Sequence, residues 1–120
     1  MPTGTSVHTY YEGKWHVGDV AVMRAADHGM WLGSNVFDGA RYVNGRVPDL
    51  DKHCARVNAS ARALMVEPSV SVSDMVEIVA EGLKFFSPDT AVYIRPMYWA
   101  IDGGIAAIVP KEGGRTGFAI

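Results

Sequence analysis

Arginine side chains at two places in the sequence could bind an anion. Apolar residues between positions 50 and 64 recur at spacings of four and three, which predicts a helix with one apolar face. His53, Arg56 and Ser60 cluster on the flank of that face. From this boundary position Arg56 could donate two parallel hydrogen bonds to a phosphate or a carboxylate. The alternative is structural, with the aliphatic stem of Arg56 covering the edge of the core, and the pattern by itself favours that role.

The second place is the segment Tyr93-Ile94-Arg95-Pro96, which lies in a stretch with the composition of a β-strand. Side chains alternate along a strand, so Tyr93 and Arg95 share one face. There Arg95 could clamp a carboxylate or stack as a cation on aromatic rings. Phe37 and Arg41 alternate in the same way on an earlier predicted strand. If the two strands lie in one sheet, Arg41 and Arg95 could converge on a single anionic ligand.

Composition and charge argue against several classes of function. Lys and Arg number 11 and Asp and Glu 13, for a net charge of −2, and no basic block stands out, which disfavours a dedicated nucleic-acid binder. The longest apolar run, 105–109, is far too short for a membrane span, and no signal-peptide pattern opens the sequence. A single cysteine, Cys54, cannot close a disulfide within the chain, which fits a reducing cytoplasm.

The sequence carries no familiar motif for phosphate cradling, redox exchange or metal binding. GxxxxGK[ST], GxGxxG and CxxC are absent. The four histidines lack metal-ligand spacing, so each is interpreted as a hydrogen-bonded structural residue: His8, His16, His28 and His53. Cys54 lies on the apolar face of its predicted helix, which indicates a buried and inert thiol.

Strands are predicted on both sides of a helical middle. Aromatic residues around Glu12-Gly13 predict a hairpin, and Asn44-Gly45 predicts a two-residue turn after a strand over 36–43. Asp27 could cap a helical turn over 27–33. In the last third, strands are predicted over the ranges 91–100, 105–109 and 117–120.

Two helices separate these strands. The first has Asp49 at its predicted N-cap and ends before Pro68, and the second opens at Ser71 or Ser73. The order hairpin, hairpin, helix, helix, hairpin predicts an α+β domain, an antiparallel β-sheet with two helices packed on one face. We expect residues 1–120 to form a single domain. Because the last predicted strand has barely begun when the chain stops, we also expect a fragment.

Three segments, in this order and at suitable distances, resemble a known family. They are Val36-Phe37-Asp38-Gly39-Ala40-Arg41, the stretch from Asp49 to Ala61, and Tyr93-Ile94-Arg95-Pro96. Together they resemble the N-terminal small domain of the class IV pyridoxal-phosphate (PLP) aminotransferases. The resemblance covers roughly Tyr10 to Ile120 and is greatest to the branched-chain aminotransferases.

The resemblance implies roles for five residues. Arg56 matches the arginine that binds the PLP phosphate in the family, which reverses the preference for a structural role. Phe37, Tyr93 and Arg95 match positions that line the substrate pocket, and Arg41 matches a position near it. The implied activity is PLP-dependent transfer of an amino group between a branched-chain amino acid and a 2-oxo acid. The family forms homodimers in which the small domain closes one wall of the active site, and we expect Arg56 and Arg95 to face one groove.

The sequence departs from the family pattern in two respects. The family attaches PLP to a lysine of the large C-terminal domain, and the lysines here match no such position: Lys14, Lys52, Lys84 and Lys111. We therefore expect the PLP-lysine domain to be absent, no catalytic residue in this chain and no activity from the chain alone. Leu32 stands where branched-chain members usually carry an aromatic hydroxyl, which leaves open how the substrate carboxylate is held.

Two other functions remain open at this point. The chain could be a stand-alone α+β module that binds an anionic metabolite or a protein partner. It could also belong to a PLP lyase of the aminodeoxychorismate lyase type on the same scaffold, although the Arg95-Pro96 pair argues against that reaction.

Overall fold

A computed structural model describes residues 6–120 of the chain. Its strands are β1 (His8–Tyr11), β2 (Lys14–Val17), β3 (Asn35–Phe37), β4 (Ala40–Tyr42), β5 (Val92–Ile94), β6 (Met97–Ala100) and β7 (Thr116–Ala119). Its helices are α1 (His28–Trp31), α2 (Leu50–Ala63) and α3 (Val72–Leu83), and a short 3₁₀ turn spans Ile105–Ala107.

The strands form two antiparallel sheets. Five of them make one sheet in the order β2-β1-β7-β6-β3, and β4 and β5 pair as a separate ribbon. The predicted hairpin at Glu12-Gly13 is confirmed, with Tyr11 opposite Lys14. The turn at Asn44-Gly45 is confirmed too: both residues have the positive φ of a tight two-residue turn, 52° and 73°.

Helices α2 and α3 pack on one face of the five-stranded sheet, which confirms the predicted fold class. Cys54, Val57 and Ala61 of α2 are fully buried with Met75 of α3. They pack on the sheet side chains that share one face, namely Val36, Tyr98 and Phe118. A second core cluster joins the ribbon to α3 through Ala40, Tyr42, Ile94 and Val79. Burial raises the pKa of the Cys54 thiol to about 11, as expected for an inert cysteine.

The three predicted residues stand at the N-caps of the helices, but only one of them makes a side-chain capping hydrogen bond. Ser71 caps α3 as predicted, since its hydroxyl accepts a hydrogen bond from the Asp74 N–H at 3.1 Å. Asp49 precedes α2 in a left-handed conformation (φ 56°), and its side chain makes no capping bond. Asp27 makes no capping bond to α1 either, because its carboxylate accepts from the Arg24 N–H and the Trp99 indole instead.

Two predicted strands are each broken in the structure. The range 36–43 is divided between β3 and β4, and 91–100 between β5 and β6, so each range contributes to both sheets. The first break lies at Asp38-Gly39, where the Asp38 side chain turns inward to α2. The second lies at Arg95-Pro96, where the proline ring removes a backbone donor.

The predicted strand over 105–109 is wrong. The segment is a 3₁₀ turn in which Ala106 and Ala107 have positive φ values of 53° and 56°. The buried imidazole of His28 holds this turn: Nε2 lies 2.9 Å from the Ala107 carbonyl and Nδ1 lies 2.6 Å from the Ser34 hydroxyl. The apolar run 105–109 therefore does not form a sheet strand; its first three residues form a turn that His28 contacts.

Candidate functional site

The carboxylate of Asp38 receives four hydrogen bonds and is the centre of the site. Its Oδ2 accepts from Nε of Arg56 at 2.6 Å, and its Oδ1 accepts from Nη2 of the same arginine at 2.8 Å. Oδ1 also accepts from His53 Nδ1 at 2.7 Å and from the Gly39 N–H at 2.9 Å. Oδ1 therefore accepts three hydrogen bonds and Oδ2 accepts one.

Asp38 and Arg56 differ in burial, and each shifts the pKa of the other. The Asp38 side chain is 5% exposed, whereas that of Arg56 is 66% exposed. The hydrogen bond from Arg56 lowers the pKa of Asp38 to about 2, against the opposing effect of burial, and His53 lowers it further. The same carboxylate raises the pKa of Arg56. Because an ionised carboxylate only accepts, His53 Nδ1 carries the proton in this contact.

The local elements explain why these side chains meet. His53 and Arg56 are three residues apart on α2, so they lie on the same side of the helix. Strand β3 ends at Phe37, and the Asp38 N–H donates to the Pro96 carbonyl at 3.1 Å, which fixes the backbone directly after the strand. The Asp38 side chain is thereby held against the helix flank that carries His53 and Arg56.

The predicted substrate-side residues form a second group on the outer face of the ribbon. Arg41 and Tyr93 are directly opposite each other in the β4–β5 register, and their neighbours Ala40 and Ile94 face the core. Arg95 follows on the same face as Tyr93. The Arg95 guanidinium carbon lies 6.0 Å from the ring centroid of Phe37, which itself is 60% exposed.

Gly39 links the two groups. A Cβ at this position would lie 2.7 Å from the Tyr93 hydroxyl oxygen and 2.8 Å from its ring carbon Cε1. Only glycine therefore lets the Tyr93 ring lie against the backbone between β3 and β4. The three consecutive residues Phe37, Asp38 and Gly39 thus contact Arg95, Arg56 and Tyr93 respectively.

The expectation that Arg56 and Arg95 face one groove needs correction. A groove of about 410 Å³ is lined by Arg95 together with Tyr93, Met97 and Trp15, but Arg56 is not among its lining residues. Phe37 lies on the sheet face away from α2, because its register partner Met97 alternates with the helix-facing Tyr98. The two arginines therefore approach the segment 37–39 from the two faces of β3.

Asp38 and its hydrogen bond to His53 were not predicted from the sequence. Position 38 is fifteen residues from His53 and eighteen from Arg56, and helical spacing relates residues within one helix only. The one sequence feature that pointed to this cluster was the position of His53 and Arg56 side by side on one flank of the predicted helix. His53 was predicted to be a hydrogen-bonded structural residue, and it is hydrogen-bonded to Asp38.

The arrangement suits two anions at neighbouring places. Arg56 offers a phosphate or carboxylate its outward-facing donors, and the cations Arg41 and Arg95 lie beside aromatic rings that could border a small organic acid. Within residues 6–120 no group of three His, Cys, Asp or Glu side chains could hold a metal ion. No helix in that range is long and apolar enough to cross a membrane.

Solved structures share this fold. An aminotransferase from Brucella abortus, whose crystal structure contains the cofactor PLP, is 54% identical to this chain, with a TM-score of 0.88 over 93% of this chain and 40% of that one. The branched-chain amino acid aminotransferase of Escherichia coli is 22% identical, with a TM-score of 0.81 over 96% of this chain and 40% of that one, and this likeness concerns the fold alone.

Sequence comparison gives the family. A curated relative in Rickettsia conorii, named "Probable branched-chain-amino-acid aminotransferase", is 32% identical over 96 residues, which are 73% of this chain and 33% of the relative. A Synechocystis relative of the same name is 29% identical over 108 residues, 81% of this chain and 33% of that protein. The chain therefore spans about a third of the length of these two relatives. The sequence model for amino-transferase class IV matches residues 35–117, more than half of the chain and the whole of the cluster around Asp38, so this chain belongs to the class IV aminotransferase family.

Proposed function

We propose that this chain is the small domain of a PLP-dependent aminotransferase, an enzyme that moves an amino group between an amino acid and a 2-oxo acid. The observation that carries the proposal is the exposed Arg56 guanidinium, which Asp38 fixes beside the segment 37–39. Membership of the class IV family and the 54% identity to a PLP-bound aminotransferase support it.

The residues present fit the phosphate group of PLP. Asp38 occupies Nε and one hydrogen of Nη2 on Arg56, and Nη2 also lies 3.3 Å from His53 Nδ1, which leaves the Nη1 end of the guanidinium to donate to a second anion. Arg is the side chain best suited to bidentate phosphate binding. When bound, PLP supplies the carbonyl group and the electron-accepting ring that amino transfer requires. Arg56 would hold the phosphate and so set the position of the cofactor.

The second group of residues would bind the substrate. Arg95 and Arg41 would attract and orient a carboxylate, and the rings of Phe37 and Tyr93 would exclude water from its apolar part. The curated relatives are named as branched-chain-amino-acid aminotransferases, which supports a branched-chain amino acid as the substrate. The exposed apolar Phe37 ring beside a guanidinium is consistent with a substrate that has an aliphatic side chain and a carboxylate.

The lysine that anchors PLP would come from another domain. Lys52 and Lys84 are exposed and form ion pairs with Asp49 and Glu81. Neither they nor Lys14 or Lys111 are among the residues that line the groove beside Arg95. We therefore propose that residues 1–120 form one domain, that the PLP-lysine domain lies outside it, and that this domain alone does not catalyse amino transfer. A homodimer, as the resemblance implies, is part of the same proposal.

The test compares two exposed arginines that pair side-on with an aspartate. Arg115 pairs with Asp102 through Nε and Nη2, as Arg56 pairs with Asp38, and its side chain is 72% exposed. In protein expressed from the complete coding sequence, we expect Arg56→Ala to weaken PLP binding at least tenfold, since it removes a charge-assisted contact worth about 1.5–3 kcal/mol. We expect Arg115→Ala to leave binding unchanged.

Calorimetric titration with PLP measures the affinity, and an assay with a branched-chain amino acid and a 2-oxo acid measures transfer. Equal PLP affinity in the Arg56→Ala and wild-type proteins would remove Arg56 from the phosphate site. Absence of any amino transfer by the PLP-loaded wild-type protein would contradict the proposed reaction.

A further inference from the structure

We infer that Asp38 is a positioning residue that holds Arg56 ready for the phosphate, with His53 securing Asp38 in turn. This inference rests on the proposed role of Arg56. It concerns a residue that touches neither cofactor nor substrate in the proposal and that acts only through the arginine. The observations behind it are the edge of the guanidinium that Asp38 uses and the depth at which the carboxylate is buried.

The edge of the Arg56 guanidinium that Asp38 binds decides which donors remain for a phosphate, because a guanidinium has five N–H donors in a fixed plane. Asp38 takes the Nε hydrogen and one Nη2 hydrogen, which together form the side edge of the group. The two Nη1 hydrogens remain on the end edge, beside an Nη2 that also lies 3.3 Å from His53 Nδ1. A phosphate can therefore bind end-on while Asp38 stays bound side-on, and the arginine need not leave one anion to reach the other.

Burial decides which anion is permanent. Asp38 is 5% exposed, and its oxygens accept hydrogen bonds from Arg56, His53 and the Gly39 N–H. Such a carboxylate keeps one geometry, so the long and flexible Arg56 side chain loses its rotamer freedom before any ligand arrives. Binding to a pre-ordered group costs less than binding to a mobile one, which is the physical basis of the positioning role.

If Asp38 competed with the phosphate for Arg56, removal of its charge would change the phosphate affinity in the opposite direction. A carboxylate beside an arginine also competes for it and repels a phosphate, so removal of a merely competing Asp38 would tighten phosphate binding. The change in affinity on Asp38→Asn therefore separates positioning from competition. The pair Asp102–Arg115 has the same side-on geometry on a different part of the surface, and Asp102→Asn is the matched control.

The experiment measures the dissociation constants of inorganic phosphate and of PLP for four proteins: wild type, Arg56→Ala, Asp38→Asn and Asp102→Asn. We expect Asp38→Asn to weaken binding of both probes roughly tenfold, an effect typical of losing a supporting residue behind a ligand-binding group. We expect Asp102→Asn to bind as the wild type does.

The outcomes distinguish the two proposals. If Arg56→Ala binds phosphate and PLP as the wild type does, the proposed role of Arg56 fails, and the inference fails with it. If Arg56→Ala loses binding while Asp38→Asn binds equally well or more tightly, the proposed function stands and the positioning role of Asp38 is overturned.

A measurement on the wild type covers the case in which Asp38→Asn does not fold. The ¹⁵N NMR signal of Arg56 Nε–H, assigned by its loss in Arg56→Ala, reports the 2.6 Å bond to Asp38. During titration with inorganic phosphate we expect this proton to keep its shift and its slow exchange while the Nη signals move. A shift of the Nε–H signal to the value of a solvent-exposed arginine would show that phosphate displaces Asp38, and would overturn the inference.

Discussion

At the scale of single residues, one carboxylate, that of Asp38, binds both His53 and Arg56 of the site. Asp38 is nearly inaccessible to solvent, yet it remains ionised because three side-chain hydrogen bonds and one backbone N–H compensate for lost hydration. Arg56, by contrast, extends into solvent. Such a combination of a fixed anion and an exposed cation presents positive charge outward in one direction, which suits recognition of a phosphate.

The lowered pKa of Asp38 predicts a specific dependence of stability on pH. Its pKa falls from 3.8 to about 2 in the folded protein. The stabilisation is fully present above pH 4, where the unfolded chain is also ionised, and is lost as the pH falls through 2. It corresponds to about 1–2 kcal/mol after allowance for the exposure of Arg56.

The measurement is urea unfolding of wild type and Asp38→Asn between pH 6 and pH 2. Asp102 titrates in both proteins, so its contribution cancels in the difference between them. We expect the wild type to lose more free energy of unfolding than the variant below pH 4. A difference that stays constant across this range would contradict the assignment of the acid-sensitive stabilisation to Asp38.

At the scale of elements, the break between β3 and β4 positions the site. The chain leaves the five-stranded sheet after Phe37 and enters the ribbon at Ala40, and the two residues between them contact Arg56 and Tyr93. A continuous strand would have placed residues 37, 39 and 41 on one face of a single sheet. The break keeps this alternation, so Val36, Asp38 and Ala40 still face the core, while the chain passes from the five-stranded sheet to the ribbon and Gly39 supports the Tyr93 ring.

Replacement of Gly39 by alanine is predicted to disturb this break. The backbone at Gly39 is not left-handed, so the cost arises from the collision of the new Cβ with Tyr93, 2.7 Å from its hydroxyl oxygen. We expect Gly39→Ala to lower the free energy of unfolding by roughly 1–3 kcal/mol, as overpacking does elsewhere. Chemical denaturation gives the value.

A double-mutant cycle supplies the control. In a Tyr93→Ala background the colliding atoms are gone, so Gly39→Ala should cost less than about 1 kcal/mol. If Gly39→Ala lowered the free energy of unfolding equally in both backgrounds, the collision with the Tyr93 ring would not be the reason for the glycine.

At the scale of the whole molecule, an apolar surface adjoins the turn over 105–107. Met30 and Trp31 of α1 are 60% and 55% exposed, and Ile108 is 73% exposed. The two segments meet because His28 of α1 is hydrogen-bonded to the Ala107 carbonyl. Exposed apolar residues grouped in this way are typical of protein–protein contact surfaces.

If this surface takes part in the proposed homodimer, Ile108→Ser should weaken self-association. Burial of an isoleucine side chain contributes about 1.5–3 kcal/mol, so we expect the dimer dissociation constant to rise at least tenfold. Sedimentation velocity over a concentration series measures it. Val17 on the edge strand β2 is equally apolar and 79% exposed, and Val17→Ser is the matched control. Equal dissociation constants for Ile108→Ser and wild type would exclude this surface from the dimer.

Much of the fold was predictable from the sequence because it depends on local patterns. The apolar spacing of α2 and α3, the Ser71 cap and the turns at Glu12-Gly13 and Asn44-Gly45 are properties of residues close together in the chain. Helical spacing also predicted that His53 and Arg56 lie side by side on one flank of α2. What failed were the strand limits and the capping hydrogen bonds of Asp27 and Asp49. The Asp27 carboxylate accepts from the Trp99 indole instead, and Asp49 has a left-handed backbone and pairs with Lys52.

Which residue types share a face of each helix and strand follows from the order of the residues alone, because it depends on the fixed periods of the two structures. Only the tertiary structure decided that Asp38 meets Arg56 and His53, that Gly39 lies under Tyr93, and that Arg56 and Arg95 approach one segment from two faces. These contacts join residues far apart in the chain. Their geometry depends on how the sheets and α2 pack, which no local pattern specifies.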